Sequence, residues 1–292
     1  MSTAGGVAAA LRRGEALGCE TIQIFTKNNN RWQAPPLPPA EAAEFCRRRR
    51  QAGLDPVIAH TAYLINLASP DPLIRQRSAV ALRDELQRGE QLGLDGVVMH
   101  PGCHGGDGAE AGLARIVAGI RQTLLETAGA RVRLLLETTA GQGSCLGHRF
   151  EDLKHILDAV SLPERTGICL DTCHLFAAGY DLRTPAAYED TMAALARVLG
   201  TGTVQAIHLN DSKKPLGSRV DRHTHLGDGL LGLEAFRLFS QDDRWKDVPG
   251  ILETPKDPEM RFDRRNLTIL RRFRGDLIDP AGLPLGPDQP TK

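Results

Sequence analysis

Apolar residues recur along this chain in two rhythms. Short runs rich in β-branched and apolar residues read as strands: TIQIF from Thr21, PVIAH from Pro56, GVVMH from Gly96, VRLLLE from Val132, TGICLD from Thr166, VQAIHLN from Val204 and GILET from Gly250. Between them lie longer segments, such as Pro72 to Gly93 and Pro185 to Leu199, whose apolar positions fall three and four residues apart, the spacing of one helix face. Strand then helix, repeated, predicts a parallel sheet. Strands that are apolar at nearly every position predict that both faces are covered, in a barrel or a doubly wound sheet. Two stretches break the rhythm, the Asn- and Pro-rich segment 28–39 and the polar, glycine-rich segment 210–232. Loops of that length in a compact domain tend to carry function. After Arg274 the chain becomes rich in Pro and Gly, so a single domain over 1–275 and a disordered tail over 276–292 are expected.

Composition changes this picture in three ways. At 292 residues the chain is the size of one α/β barrel. Lys plus Arg and Asp plus Glu both number 36, so no global field attracts an anionic polymer and any nucleic-acid site must be a local patch. The six cysteines form no CxxC pair, from which reduced thiols and a cytoplasmic location are expected. No basic leader and no apolar run of about 18 residues occurs, so neither a signal peptide nor a membrane span is expected, and a monomer is the default.

The chemistry sits where the strands stop. Six consecutive candidate strands end at His60, His100, Glu137, Asp171, His208 and Glu253, at intervals of 34 to 45 residues that each leave room for a helix and its return. In a (β/α)8 barrel the C-terminal strand ends converge on one face, so these six would share a cavity. One such residue alone would read as a capping group; six in succession would be costly to bury together unless cations compensated them. Imidazole and carboxylate without thiolate suit catalytic zinc, manganese or iron, and argue against a Cys-rich structural zinc site. His174 follows Asp171 by three residues, and RVDRHTHLGDG adds Asp221, His223 and His225. That exceeds what one ion uses, so two or three metals are expected, the arrangement that serves in-line attack on a phosphodiester.

With these residues in view, the chain resembles the endonuclease IV family of zinc-dependent apurinic/apyrimidinic endonucleases. The resemblance runs from Ser2 to about Arg272 through HTAYLINL, MHPGCHGG, LETTAGQGS, GICLDTCHLFAAGYDL, HLNDSK, SRVDRHTHLGDG and ILET. It implies a (β/α)8 TIM barrel and three zinc ions, with manganese an option at one or more sites. His60 and His100 would hold the first, Glu137 would bridge it to a second completed by Asp171, His208 and Glu253, and His174, Asp221 and His223 would hold the third. The implied reaction is hydrolysis of the phosphodiester 5′ to an abasic site in duplex DNA, leaving a 3′-hydroxyl and a 5′-deoxyribose phosphate, with Glu253 and Glu137 as the catalytic carboxylates. Tyr63 and Leu64 would wedge into the base stack. The family's inserted arginine falls on Asn30 here, with Arg31 beside it. Relatives begin with a short strand that this chain lacks, so the first barrel strand is expected to be missing, and a native start upstream of Met1 is one explanation.

Plainer roles fit other residues. Arg47 to Arg50, Arg271, Arg272 and Arg274 read as solvated helix faces. Lys213, Lys214, Arg219 and Arg222, beside candidate ligands in the long loop, read as phosphate contacts. His225 reads as a support for the ligands, His104 as a candidate lining residue, and His148 and His155 as ordinary surface or helix residues. The competing class is a single-metal sugar isomerase or epimerase using Glu137, Asp171, His208 and Glu253; the additional His60, His100, His174, Asp221 and His223 argue for the nuclease. A DNA-damage binder without turnover is a third reading, disfavoured by the intact ligand set.

Overall fold

The computed structural model describes residues 1–276, so the expected tail, Asp276 apart, lies outside the described residues. Its strands are β1 (Ile22–Phe25), β2 (Val57–His60), β3 (Gly96–Met99), β4 (Arg133–Glu137), β5 (Thr166–Asp171), β6 (Val204–His208), β7 (Asp211–Ser212), β8 (His223–Thr224) and β9 (Gly250–Ile251). All seven runs read from the sequence form strands of one parallel sheet in the order β1-β2-β3-β4-β5-β6-β9, the staves of a (β/α)8 barrel with one missing. β7 and β8 make a small antiparallel ribbon inside the long polar loop, which is therefore more ordered than a loop reading implies.

The helices α1 (Val7–Ala16), α2 (Pro39–Ala52), α3 (Pro72–Gln91), α4 (Ala109–Glu126), α5 (Phe150–Val160), α6 (Thr172–Ala178), α7 (Pro185–Val198), α8 (Leu233–Gln241) and α9 (Arg261–Arg274) alternate with the strands. Their starts are written locally. The Asp71 carboxylate accepts from the amides of Leu73 and Ile74, the Thr184 hydroxyl accepts from that of Ala187, and each is followed by a proline in the first turn.

The alternation of side chains along the staves builds two cores. Ile58, Val98, Leu135, Cys169, Ala206 and Ile251 form an apolar layer inside the barrel, while Val57, Ala59, Val97, Met99, Leu134, Leu136, Ile168 and Leu170 face the helices. Two residues beyond each member of the inner layer stand His60, His100, Glu137, Asp171, His208 and Glu253. Because side chains repeat with period two along a strand, they point the same way, and the apolar layer becomes the floor of a polar mouth.

One expectation needs amendment. Cys103 and Cys145 are joined by a disulfide, so the cysteines are not all reduced; the bond ties the loop after β3 to the loop after β4, where the chain also makes an antiparallel bridge. Sequence spacing could not show this, because the partners are 42 residues apart and meet only once the staves are parallel. The barrel is open between β1 and β9, where the amino group of Met1 donates to the carbonyl of Gln23 on the free edge of β1. No helix among the described residues is long and apolar enough to cross a membrane.

Candidate metal centre

The mouth brings all nine candidate ligands together. Glu137 stands at the centre, fully buried on β4. Its Oε2 lies 3.0 Å from His60 Nε2 and 3.1 Å from His100 Nε2. Its Oε1 lies 3.0 Å from His208 Nδ1, which in turn is 3.0 Å from Glu253 Oε2 and 3.8 Å from Asp171 Oδ2. A third group forms beside them: His174 Nε2 and His223 Nε2 are 3.4 Å apart, and each lies 3.2 Å from an oxygen of Asp221. Asp171 Oδ2 is 3.6 Å from His223 Nε2, so it borders both the second and third groups.

These separations suit metal ions. Donors about 2.0–2.2 Å from a tetrahedral zinc lie about 3.3–3.6 Å from one another, close to the separations seen here, and the nine candidate donors are all imidazole or carboxylate. Cys173 is also within reach: its sulfur shares a group with Asp221 and His223. Four carboxylates meet here. Burial pushes the Glu137 carboxyl up, yet His100, His208 and His174 together hold it well below the ordinary carboxylate range. Burial opposes protonation of His174 and His208, but the carboxylates around them, with Cys169 beside His208, raise both well above the ordinary imidazole value; Asp171 and its neighbours lift His223 to about 10. Protons thus supply the positive charge that divalent ions would bring.

Three of the five imidazoles are aimed by a backbone carbonyl on their other nitrogen. His60 Nδ1 donates to the carbonyl of Thr61 at 2.8 Å, His174 Nδ1 to that of Thr138 at 2.8 Å, and His223 Nδ1 to that of Glu253 at 3.4 Å. Asp171 caps α6 by accepting from His174 N at 2.7 Å, which leaves Oδ2 for the cluster and for Asn210 Nδ2 at 2.7 Å. Asn210 Oδ1 accepts from Glu253 N at 2.8 Å, and Gln142 Oε1 from Asp221 N at 3.1 Å. Asp211 gathers the amides of Gly227, Gly229 and Leu231, fixing the loop that carries His223. Asn210, Gln142, Asp211 and Gln23 went unread in the sequence; the signal for Gln23 was an amide inside the apolar run IQIF, on the face opposite Ile22 and Ile24.

The remaining candidates divide. Tyr63 and Leu64 are exposed on the loop after β2; the Tyr63 ring lies 5.3 Å from that of His60 and 5.6 Å from that of Phe25. Asn30 and Arg31 are exposed in a turn pinned by Asn28, on the same side of the barrel. Lys213 and Arg222 are exposed side by side, joined by a backbone hydrogen bond of 2.9 Å next to the β7–β8 ribbon. His225 stacks on Phe262 and meets Asn266, whereas His104 accepts from the amides of Gly106 and Gly108 and shapes the turn into α4, so neither joins the ligand groups. His155 is exposed, His148 meets the carbonyl of Cys145, and Arg47 and Arg48 pair with Glu44 on the outer face of α2.

A parallel barrel whose strand ends present this ligand set defines a class, and the comparisons agree. Residues 11–272 match the family described as xylose isomerase-like TIM barrel, to which the chain belongs. Within it the chain is a member of the endonuclease IV family. A protein named probable endonuclease 4 from Chloroflexus aurantiacus is 50% identical over 271 residues, 93% of this chain and 95% of that protein. The crystal structure of endonuclease IV from Thermus thermophilus matches with a TM-score of 0.84 and 38% identity, covering 95% of this chain and 98% of that one. A D-psicose 3-epimerase structure, at 14% identity and a TM-score of 0.67 over 94% of this chain and 96% of that one, shares the fold alone.

Proposed function

We propose that this member of the endonuclease IV family hydrolyses the phosphodiester 5′ to abasic sites in duplex DNA, using three zinc ions. The observation that carries this reading is the convergence of nine donors into three groups around Glu137, Asp171 and Asp221. His60, His100 and Glu137 would hold one ion, Glu137, Asp171, His208 and Glu253 a second, and His174, Asp221 and His223 a third. When bound, zinc would lower the pKa of water from about 16 to about 7 and offset the charge gathering on phosphate oxygens. Glu253, held ionised at about 2 by His208 against the opposing effect of burial, suits orienting the attacking water by accepting its proton in a hydrogen bond. Glu137 keeps the neighbouring groups in register. Tyr63 and Leu64 would enter the gap left by the missing base, Asn30 or Arg31 would approach from the loop after β1, and Lys213 and Arg222 would contact phosphates.

A second reading draws on the group Glu137, Asp171, His208 and Glu253, which by itself would suit a single-metal sugar epimerase on the same barrel. Metal stoichiometry separates the two. About three zincs per chain, with chelator-sensitive nicking of an abasic duplex, is the expected result. One metal per chain and turnover of a ketose would replace it. Glu253→Gln is expected to lower kcat by about 100-fold or more, within the range of general acid–base contributions; an unchanged kcat would remove Glu253 from its role.

A further inference from the structure

Four imidazoles at the mouth have a hydrogen-bond partner behind them, and one of those partners differs in kind. His60, His174 and His223 lean on backbone carbonyls, whereas the outer nitrogen of His208, Nε2, meets a side chain, Oε1 of Gln23, at 2.9 Å. The same amide reaches Glu253 Oε1 through its Nε2 at 2.6 Å. Gln23 is buried on β1, at the open edge of the barrel, where no neighbouring stave would otherwise back these two groups.

The chemistry of the partners fixes the amide's direction. An ionised carboxylate only accepts, so the NH2 of Gln23 must face Glu253 and its carbonyl must face His208. His208 must then donate through Nε2. Nδ1, 3.0 Å from both Glu137 Oε1 and Glu253 Oε2, is then the nitrogen that would give up its proton to an ion bound between them. The donation to Glu253 Oε1 likewise leaves Oε2 turned toward Nδ1 of His208.

We propose that Gln23 is the positioning residue of the second metal site: one amide sets the tautomer of His208 and the rotation of the Glu253 carboxylate together. The inference rests on reading the cluster as a metal centre. An apolar residue of similar volume would leave the His208 ring free to place its proton on Nδ1, facing the ion, and would leave Glu253 free to turn.

The test is a titration of zinc into metal-free chain against a chromogenic chelator. Wild type is expected to take up three ions. Gln23→Leu is expected to bind two with unchanged affinity and the third about 10- to 100-fold more weakly, the usual effect of losing a group behind a ligand. Gln23→Glu, which keeps an acceptor facing His208, should recover part of that loss. Cobalt in place of zinc should show the Gln23→Leu defect as a change in one site's visible bands. Nitrogen-15 NMR of His208 in the zinc-loaded wild type needs no variant: a proton on Nε2 supports the proposal. A proton on Nδ1, or three wild-type affinities in Gln23→Leu, would overturn the role of Gln23 while the metal centre stands. Failure of the wild type to bind more than one ion would overturn the reading beneath it.

Discussion

Glu137 illustrates how much a single side chain carries here. Its two oxygens face different imidazole groups, and burial forces both to be satisfied at once. Glu137→Ala is therefore expected to lose more than one ion per chain, read as metal content after gel filtration, whereas His100→Ala should lose one. The imidazoles give a pH dependence with a definite sign. In the metal-free chain His174, His208 and His223 lie above the ordinary imidazole value, so at neutral pH they hold protons that zinc must displace. Raising the pH through those values removes the competitor, so zinc affinity should rise with pH and fall on acidification. Binding at pH 7 should release more than one proton, measurable by calorimetry in buffers of different ionisation enthalpy. These ligands were legible as residue types because strand ends are a sparse set. Gln23 and Asn210 were not, since an amide in a strand or a loop means little until its partners are beside it.

At the scale of elements, α3 organises two of the loops that ring the mouth. Glu85 accepts from the amide of Ala62 at 3.2 Å and from the hydroxyl of Thr26, and lies 3.6 Å from the buried ammonium of Lys27. Asp84 holds Lys27 at 2.6 Å and Arg88 at 3.0 Å, and Arg88 reaches the carbonyls of Ala34 and Pro35. The loop after β1 and the loop bearing Tyr63 and Leu64 thus share one anchor. Glu85→Ala should cost about 2–4 kcal/mol in chemical denaturation, between a lost buried hydrogen bond and a broken buried ion pair. It should also raise KM for an abasic duplex without changing zinc content. Tyr63→Ala should raise KM by about 5- to 100-fold, the equivalent of about 1–3 kcal/mol of lost base stacking, again with zinc unaltered. Helix positions were readable from the sequence through their apolar spacing. The anchoring of loops by α3 was not, because it depends on polar groups on one helix meeting two other segments in space.

Across the whole molecule, the apolar barrel layer and the helix-facing core are separate from the polar mouth, so the fold is expected to persist when metal is withheld. Chelation should abolish nicking and leave far-UV circular dichroism intact, while lowering Tm by about 10 °C as the binding free energy is withdrawn. Unfolding without reductant should expose four titratable thiols, Cys19, Cys46, Cys169 and Cys173, and six after reduction. The sequence by itself determined the seven staves, the helices between them and the ligand types at the strand ends, because period-two and period-3.6 burial are local patterns that survive in one dimension. Tertiary structure alone decided the Cys103–Cys145 bond, the anchoring of two mouth loops by α3, and the pairing of Gln23 with His208 and Glu253. Each of those depends on which strands become neighbours and in what register, and that follows from burying all the apolar faces at once.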